Sequence, residues 1–325
     1  MVNLLIMKIL VYGSGALGSL MIHYLCKADN DVTVVARSTA DELRRNGLIV
    51  RHYLQRKTTV DHPKIVESAP LGEQFDIVFS VMQGQQQKAL LDAFIGLKTN
   101  LLVLVGNNLE ADHCQNRILA ERNDLQLLFG FQNSAGHREG GKAVVVRLPV
   151  TELFVGGLHQ PAPDWAIDTI RKAFSIKDYK VTPISDMQAY YLCHVAEVMP
   201  YGYMCYKCGC NLKELTRRDI EFIMQASKEC FAYLKSAGVS VMPKGEDRFY
   251  NGGLRTYAMF LLYRLMSKTV LGRLMVSDHC KNGIEEMIYI DRKFDEWRRQ
   301  HRGSPMPTWD GIRRHLPENK ADISV

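Results

Sequence analysis

Gly13-Ser14-Gly15-Ala16-Leu17-Gly18 follows the apolar run Lys8-Ile9-Leu10-Val11-Tyr12. A second apolar run, Val32-Thr33-Val34-Val35-Ala36, comes about twenty residues later and ends in Arg37-Ser38. The spacing is that of a strand, a glycine-rich turn, a crossover helix and a parallel strand, the unit that binds a dinucleotide. Gly13 permits the tight turn, Gly15 lets backbone reach a pyrophosphate, and Gly18 lets the helix pack on the sheet. Amides of the helix start, at Ser14, Ala16 and Leu17, then face the anion. The bland alternative is an ordinary glycine-rich turn, which the flanking strands and the crossover length argue against.

The end of the second strand selects the nucleotide. An acidic residue there accepts the ribose 2′-hydroxyl of NAD, whereas this chain carries Arg37 beside the small donor Ser38. A cation suits a 2′-phosphate, so NADP is the expected cofactor.

A chain of 325 residues exceeds what one core usually organises, and 46% hydrophobic content allows a large interior. The net charge of +6 is modest, and the one dense basic run, Arg298-Arg299-Gln300-His301-Arg302, reads as a solvated helix end. No nucleic-acid partner is expected, and an anionic cofactor and substrate account for the mild basicity. Met1 to Met7 is apolar but runs into the first strand without the basic start or cleavage site of a secretory signal. No apolar stretch approaches the ~20 residues that span a bilayer. The expectation is a cytoplasmic chain with no membrane partner, its eight cysteines free thiols rather than a disulfide framework.

Along the first half, strand alternates with helix. Asp41 to Arg45 reads as a short helix closed by Asn46-Gly47. Phe75 to Val81 reads as a buried strand, Gln85 to Leu97 as helix, Leu101 to Val105 as strand, Ala111 to Glu121 as helix and Leu125 to Phe131 as strand. Such alternation predicts a doubly wound parallel sheet. Ala143 to Arg147 and Glu152 to Val155 flank Leu148-Pro149 and suggest added antiparallel strands, with Val181 to Ser185 the last extended piece. Beyond Asp186 nearly everything reads as helix, including one that Thr216 caps, with Asp219 reaching back, and that runs to Lys235 and stops at Gly238. The fold class is therefore α/β, with an N-terminal Rossmann-type doubly wound parallel sheet at residues 1–185 and a C-terminal all-α domain for substrate and dimer contacts at residues 186–325. A cleft between the two is the expected place for the active site.

At these residues the chain resembles the ketopantoate reductase (2-dehydropantoate 2-reductase) family of NADP-dependent enzymes. The resemblance rests on Lys8 to Ser38, which reproduces the family's GxGALG turn and basic second-strand end. It rests also on Leu104-Val105-Gly106-Asn107-Asn108-Leu109, which looks like the family's Gln-Asn-Gly-Leu loop with Asn107 on its Asn. The stretches GGKAVVVRLPVTELFVGG and GSPMPTWDGI match in kind. The resemblance implies hydride transfer from NADPH to the ketone of a small 2-oxo acid, and a Lys on the first helix of the second domain that protonates the carbonyl oxygen, where charge develops. Laying that helix motif over Met187 to Pro200 puts Tyr191 where the Lys is expected, and a second family Lys falls on Met82 or Gln83, near cofactor and substrate. Neither position is basic. Ser277-Asp278 fall near the family's Ser-rich substrate loop and Glu286 near its ribose-contacting Glu.

Proton donors remain on that helix. Tyr190, His194, Glu197 and Tyr201 recur at i, i+4, i+7 and i+11, one helical face. His194, better matched to neutral pH, or Tyr191, whose ordinary pKa is about 10, could protonate a forming alkoxide; the bland alternative is partly buried structural residues. Asn107, after a strand's carboxyl end, could hold the nicotinamide ribose or the substrate carboxylate, or could serve only in a turn. Cys205, Cys208 and Cys210 lack the second knuckle of a zinc site, and no metal is expected.

Three readings follow. The leading one is an NADPH-dependent reductase of a small 2-oxo acid or related carbonyl, with a homodimer as a further expectation. The alternative is an NADP-binding sensor or interaction protein that has lost catalysis, which the missing lysines favour. A metal- or thiol-dependent enzyme built on the cysteine cluster is the third.

Overall fold

Runs such as Ile77-Val78-Phe79-Ser80-Val81 and Leu101-Leu102-Val103-Leu104-Val105 have no polar face, so they fit only a sheet covered on both sides. The computed structural model describes residues 6–318. Met1 to Leu5 of the apolar start lie outside the described residues. The chain forms two compact units, Met1–Met187 and Gln188–Val325.

In the first unit the strands are β1 (Lys8–Tyr12), β2 (Asp31–Val35), β3 (Leu48–His52), β4 (Lys57–Asp61), β5 (Lys64–Val66), β6 (Gln74–Phe75), β7 (Ile77–Val81), β8 (Lys98–Thr99), β9 (Leu101–Val105), β10 (Gln126–Gln132), β11 (Ala135–Glu139), β12 (Lys142–Val146), β13 (Thr151–Gly156) and β14 (Tyr179–Pro183). Its helices are α1 (Ala16–Lys27), α2 (Ala40–Asn46), α3 (Gly84–Lys88), α4 (Leu91–Ile95), α5 (Ala111–Leu119) and α6 (Asp164–Ala173). The main sheet runs β14-β13-β10-β9-β7-β1-β2-β5, with every pairing parallel except β10 against β13. Val11 on β1 lies opposite Val34 on one side and Phe79 on the other. The chain leaves β1 for β2 and later returns to its other side with β7. That reversal is a topological switch point, where open parallel sheets bind ligands at the carboxyl ends of their strands.

Several expected elements differ in the structure. The run from Phe75 to Val81 is broken at Asp76, whose carboxylate accepts from the Lys8 amide at 2.7 Å while its own amide donates to the Lys8 carbonyl at 2.9 Å. Phe75 thereby pairs with Thr99 in a separate ribbon. The helix expected over Gln85 to Leu97 is two short ones, α3 and α4. The strands around Leu148-Pro149 do not pair with each other, because they enter different sheets: β12 joins a second sheet of order β11-β12-β3-β4, and β13 joins the main one. Arg147 fastens the crossing, with its guanidinium donating to the carbonyls of Leu148 and Pro149 and to His52 Nδ1. Leu48, Val50, Ala143 and Val145 of the second sheet pack with Leu20, Met21 and Tyr24 of α1.

The second unit holds α7 (Met187–Lys207), α8 (Arg217–Ser236), α9 (Gly253–Ser267), α10 (Val270–Gly272), α11 (Asp278–Asn282), α12 (Ile284–Gln300) and α13 (Pro307–Arg313), with a 3₁₀ turn at Glu246–Phe249 and a π turn at Arg273–Ser277. α8 starts as expected. Thr216 Oγ1 accepts from the Asp219 amide at 3.2 Å and Asp219 accepts from the Thr216 amide at 2.8 Å, an arrangement worth about 1 kcal/mol. Among the described residues no helix is long and apolar enough to cross a membrane.

Candidate functional site

The turn between β1 and α1 has room in it only where a dinucleotide would need it. A Cβ on Gly13, whose φ is +100°, would lie 2.4 Å from the Val81 carbonyl oxygen, and one on Gly18 would lie 2.1 Å from the Gly13 carbonyl oxygen. Gly13 is dictated by its approach to the end of β7, and Gly18 by the Gly13 carbonyl of the same turn. A Cβ on Gly15 meets nothing within 4 Å. Gly15 caps the N-terminus of α1, and Ala16, Leu17 and Gly18 form a first turn with no acidic side chain. The open space over Gly15 and the unopposed helix start fit a pyrophosphate.

Ser14 is held from two directions. Its hydroxyl lies 2.7 Å from Thr39 Oγ1, and its carbonyl accepts from Arg138 at 3.0 Å. Arg138 also reaches Glu42 at 2.9 Å, tying the loop to α2. Nothing in the sequence pattern singles out Arg138, which comes from β11, a strand of the second sheet. Arg37 and Ser38 are exposed just beyond β2, and among the described residues no ion pair engages the Arg37 side chain. Its guanidinium is open to an anion.

At the carboxyl ends of β7 and β9, Met82 and Gln83 are half-buried, with the Met82 amide donating to the Val105 carbonyl at 3.3 Å. Gln83 caps α3 through a reciprocal bond with Gln86. The adjacent Asn107 and Asn108 have separate roles. Asn108 is fully buried, donating to Gln87 Oε1 at 3.1 Å and accepting from the Glu110 amide at 3.0 Å. Gln87 in turn donates to the carbonyls of Ser80 and Val105 at 3.2 Å, clamping the two strand ends together. Asn108 therefore accounts for the turn, and Asn107 stays half-buried beside it.

In the helical unit α7 carries both named proton donors. Tyr191 is 1% exposed. His194 stacks on Tyr190 with the ring centroids 6.2 Å apart, and its Nδ1 lies 3.7 Å from Glu197 Oε2. Burial lowers the His194 pKa to about 4, opposed by the charges of Glu286 and Glu246. This departs from the near-neutral acid expected from sequence: at pH 7 the imidazole rests uncharged. Burial acts oppositely on the carboxyls, pushing Glu197 up to about 7 and Glu246 up to about 7, the latter also through the Glu197 charge. Tyr201 completes the face, its hydroxyl donating to the Tyr263 carbonyl at 3.3 Å. Glu286 is buried near the start of α12, 3.9 Å from His279 Nε2. Ser277 is buried at the end of the π turn with its hydroxyl against the Cys205 thiol, and Asp278 follows it half-buried. Glu246, four residues before Tyr250 in a 3₁₀ turn, escaped sequence reasoning because no periodic pattern marks it.

All eight cysteines are free thiols. Cys205 and Cys210 hydrogen-bond to each other; that bond and burial raise the Cys210 thiol, while Cys205, lowered by the same bond, is raised above its ordinary range by its bond to Cys280 and by burial. An activated thiol needs the reverse shift. Among the described residues no group of three or more His, Cys, Asp or Glu side chains is arranged to hold a metal ion.

A parallel sheet with a reversal in strand order, a glycine turn after β1 and an added helical unit define a Rossmann-type fold. Residues 9–149 match the family described as ketopantoate reductase PanE/ApbA. No curated protein matches the chain by sequence. Among solved structures, 2-dehydropantoate 2-reductase from Geobacter metallireducens GS-15 superposes with a TM-score of 0.70 at 16% identity, covering 95% of this chain and 98% of that one. A D-mandelate dehydrogenase with NADH and anilino(oxo)acetate gives 0.68 at 14%, covering 98% and 99%. A dimeric ketopantoate reductase from Staphylococcus aureus gives 0.65 at 12%, covering 97% and 99%. These identities establish the fold, an α/β sheet with a helical C-terminal part, and the resemblance read from the sequence holds. The family matched over residues 9–149, described as a reductase, supports an oxidoreductase.

Proposed function

We propose that this protein is an NADPH-dependent reductase of a small 2-oxo acid or related carbonyl. The observation that carries this reading is the glycine turn, with packed glycines at 13 and 18 and open space at 15, placed beside the exposed Arg37. When bound, NADPH supplies the hydride that reduces the carbonyl carbon. Gly13 to Gly18 would hold the pyrophosphate, Arg37 and Ser38 the 2′-phosphate, and Met82, Gln83, Asn107 and Glu286 would face the ribose and nicotinamide. Asn107, with Ser277 and Asp278, is our assignment for the substrate, and His194 for the proton donor, Tyr191 being the second choice. The domain roles are a nucleotide-binding part at residues 1–185 and a substrate and dimer part at residues 186–325, in a cytoplasmic protein.

Oxidation of NADPH over a panel of 2-oxo acids, ketopantoate and an aryl 2-oxo acid included, tests the activity. Arg37→Ala should weaken NADPH binding by about 1–3 kcal/mol and leave NADH binding nearly unchanged, because a charge-assisted contact is lost only to the phosphorylated ribose. Calorimetry of both cofactors decides it; equal affinities in the unmodified protein would remove Arg37 from the site.

A homodimer is the assembly we propose, on the dimeric state of the Staphylococcus aureus neighbour and on α9, which exposes Leu254, Tyr257, Leu261, Leu262 and Leu265. An apolar face of that kind is rarely left in water. Sedimentation should give a dimer, and Leu261→Asp with Leu265→Asp a folded monomer; an unmodified monomer at micromolar concentration refutes the assignment.

A further inference from the structure

A neutral histidine presents a chemical difficulty. Losing its only N–H proton to an alkoxide would leave an imidazolate, so His194 can serve as a donor only if a second group replaces that proton as it leaves. The surroundings of His194 contain such a group. Successive turns of α7 bring His194 and Glu197 onto one face, Nδ1 to Oε2 at 3.7 Å. Gly245, with φ +90°, starts the 3₁₀ turn that brings the Glu246 carboxyl within hydrogen-bonding reach of Glu197.

Two ionised carboxylates are both acceptors and cannot hydrogen-bond. Glu197 Oε1 is buried and meets no donor. A proton held between the carboxyls turns their contact into a hydrogen bond and removes the like-charge repulsion. The neighbours favour its retention. Among the described residues neither carboxyl is paired with a lysine or arginine, and the nearby Lys235 is engaged by Asp247 at 2.8 Å. The remaining groups facing the pair are the hydroxyls of Tyr250 and Tyr263, 2.8 Å apart, and the Cys193 thiol, while Glu286, itself near His279, faces His194. None of these is a resident cation that would hold both carboxyls ionised.

We propose that Glu197 and Glu246 share one proton at neutral pH and deliver it through His194 to the oxygen of the reacting carbonyl, on a helix that carries Tyr191 where the resemblance implies a lysine. The proposal rests on the reductase reading above. As the carbonyl carbon takes its hydride and is reduced, the bond from His194 Nε2 to hydrogen breaks and the alkoxide oxygen gains that proton. The carboxylic O–H of the pair breaks as Nδ1–H forms. Imidazole stays neutral, having exchanged tautomers, and the carboxyl pair becomes fully ionised; before the next turnover solvent protonates Nε2 and Nδ1 returns its proton to the pair, which restores both groups. In this scheme His194 touches the substrate, and Glu197 and Glu246 act through it.

Glu197→Gln, Glu246→Gln and the double variant test this, with circular dichroism confirming that each is folded. The first readout needs no substrate: infrared spectra of the unliganded protein between about pH 5 and about pH 9 should show a protonated carboxyl band lost near pH 7 and absent from the double variant. The second is the pH profile of kcat. Because the acid must be protonated, kcat should be level below about pH 7 and fall above it; Glu246→Gln removes the neighbouring negative charge and should move the fall about one unit or more to lower pH. Glu197→Gln should lower kcat at least about tenfold with NADPH affinity unchanged. A double variant that keeps the infrared band overturns the shared proton. Single variants that keep both kcat and the pH profile overturn the delivery. An infrared band with no carbonyl reduced by the unmodified protein retains the shared proton and overturns the delivery together with the reductase reading.

Discussion

Gly15→Val abolishes NADPH binding and leaves the first unit folded: that is the expected result, with an affinity loss of about 100-fold or more, equivalent to about 2.7 kcal/mol. The three glycines of the turn differ in what surrounds them. At Gly13 and Gly18 a side chain would collide with main-chain oxygens, so substitution there mixes loss of binding with damage to the fold. At Gly15 a Cβ projects into open space, and the backbone has an ordinary φ of −64° that valine tolerates. The isopropyl group would then fill the volume assigned to the pyrophosphate. Calorimetric titration with NADPH beside a thermal melt separates the two effects. A folded variant that binds NADPH normally would show that the dinucleotide does not lie over this turn.

His194→Ala should lower turnover by about 10²- to 10⁴-fold with NADPH affinity nearly unchanged, the range expected for loss of a general acid. Proton transfer matters when charge reaches the carbonyl oxygen, so its loss appears in kcat rather than in cofactor binding. Tyr191→Phe is the parallel test, because it removes only a hydroxyl. Tyr191 is 1% exposed, so the larger effect is expected at His194. Full turnover in both variants would place the donor elsewhere. Loss of NADPH affinity in His194→Ala, with kcat preserved, would make the histidine a binding group instead.

Legibility in the sequence followed the range of the interaction. Gly13, Gly15 and Gly18 were readable because a tight turn, a close approach and a helix start lie within six residues of each other. The capping of α8 by Thr216 and Asp219 was readable for the same reason. The second sheet was not, since β3 must find β12 across about ninety residues, and neither strand differs locally from one in the main sheet. Breaks at Asp76 and between α3 and α4 were hidden likewise: Asp76 is set by the amide of Lys8, and Gln87 by the carbonyls of Ser80 and Val105.

At the candidate site the division is equally physical. Asn107 and Asn108 are chemically identical neighbours, and only burial against Gln87 and Cys114 makes Asn108 the structural one. Helical periodicity places His194 and Glu197 on one face, but their protonation depends on desolvation and on Glu246, which arrives from a turn about fifty residues away. The sequence by itself determined the glycine turn, the basic end of β2 and the order of alternating elements, because each arises from contacts between near neighbours in the chain. Tertiary structure alone decided which sheet each later strand joins, which asparagine is free to face a ligand, and the charge that His194, Glu197 and Glu246 carry, because those depend on water excluded by groups distant in sequence.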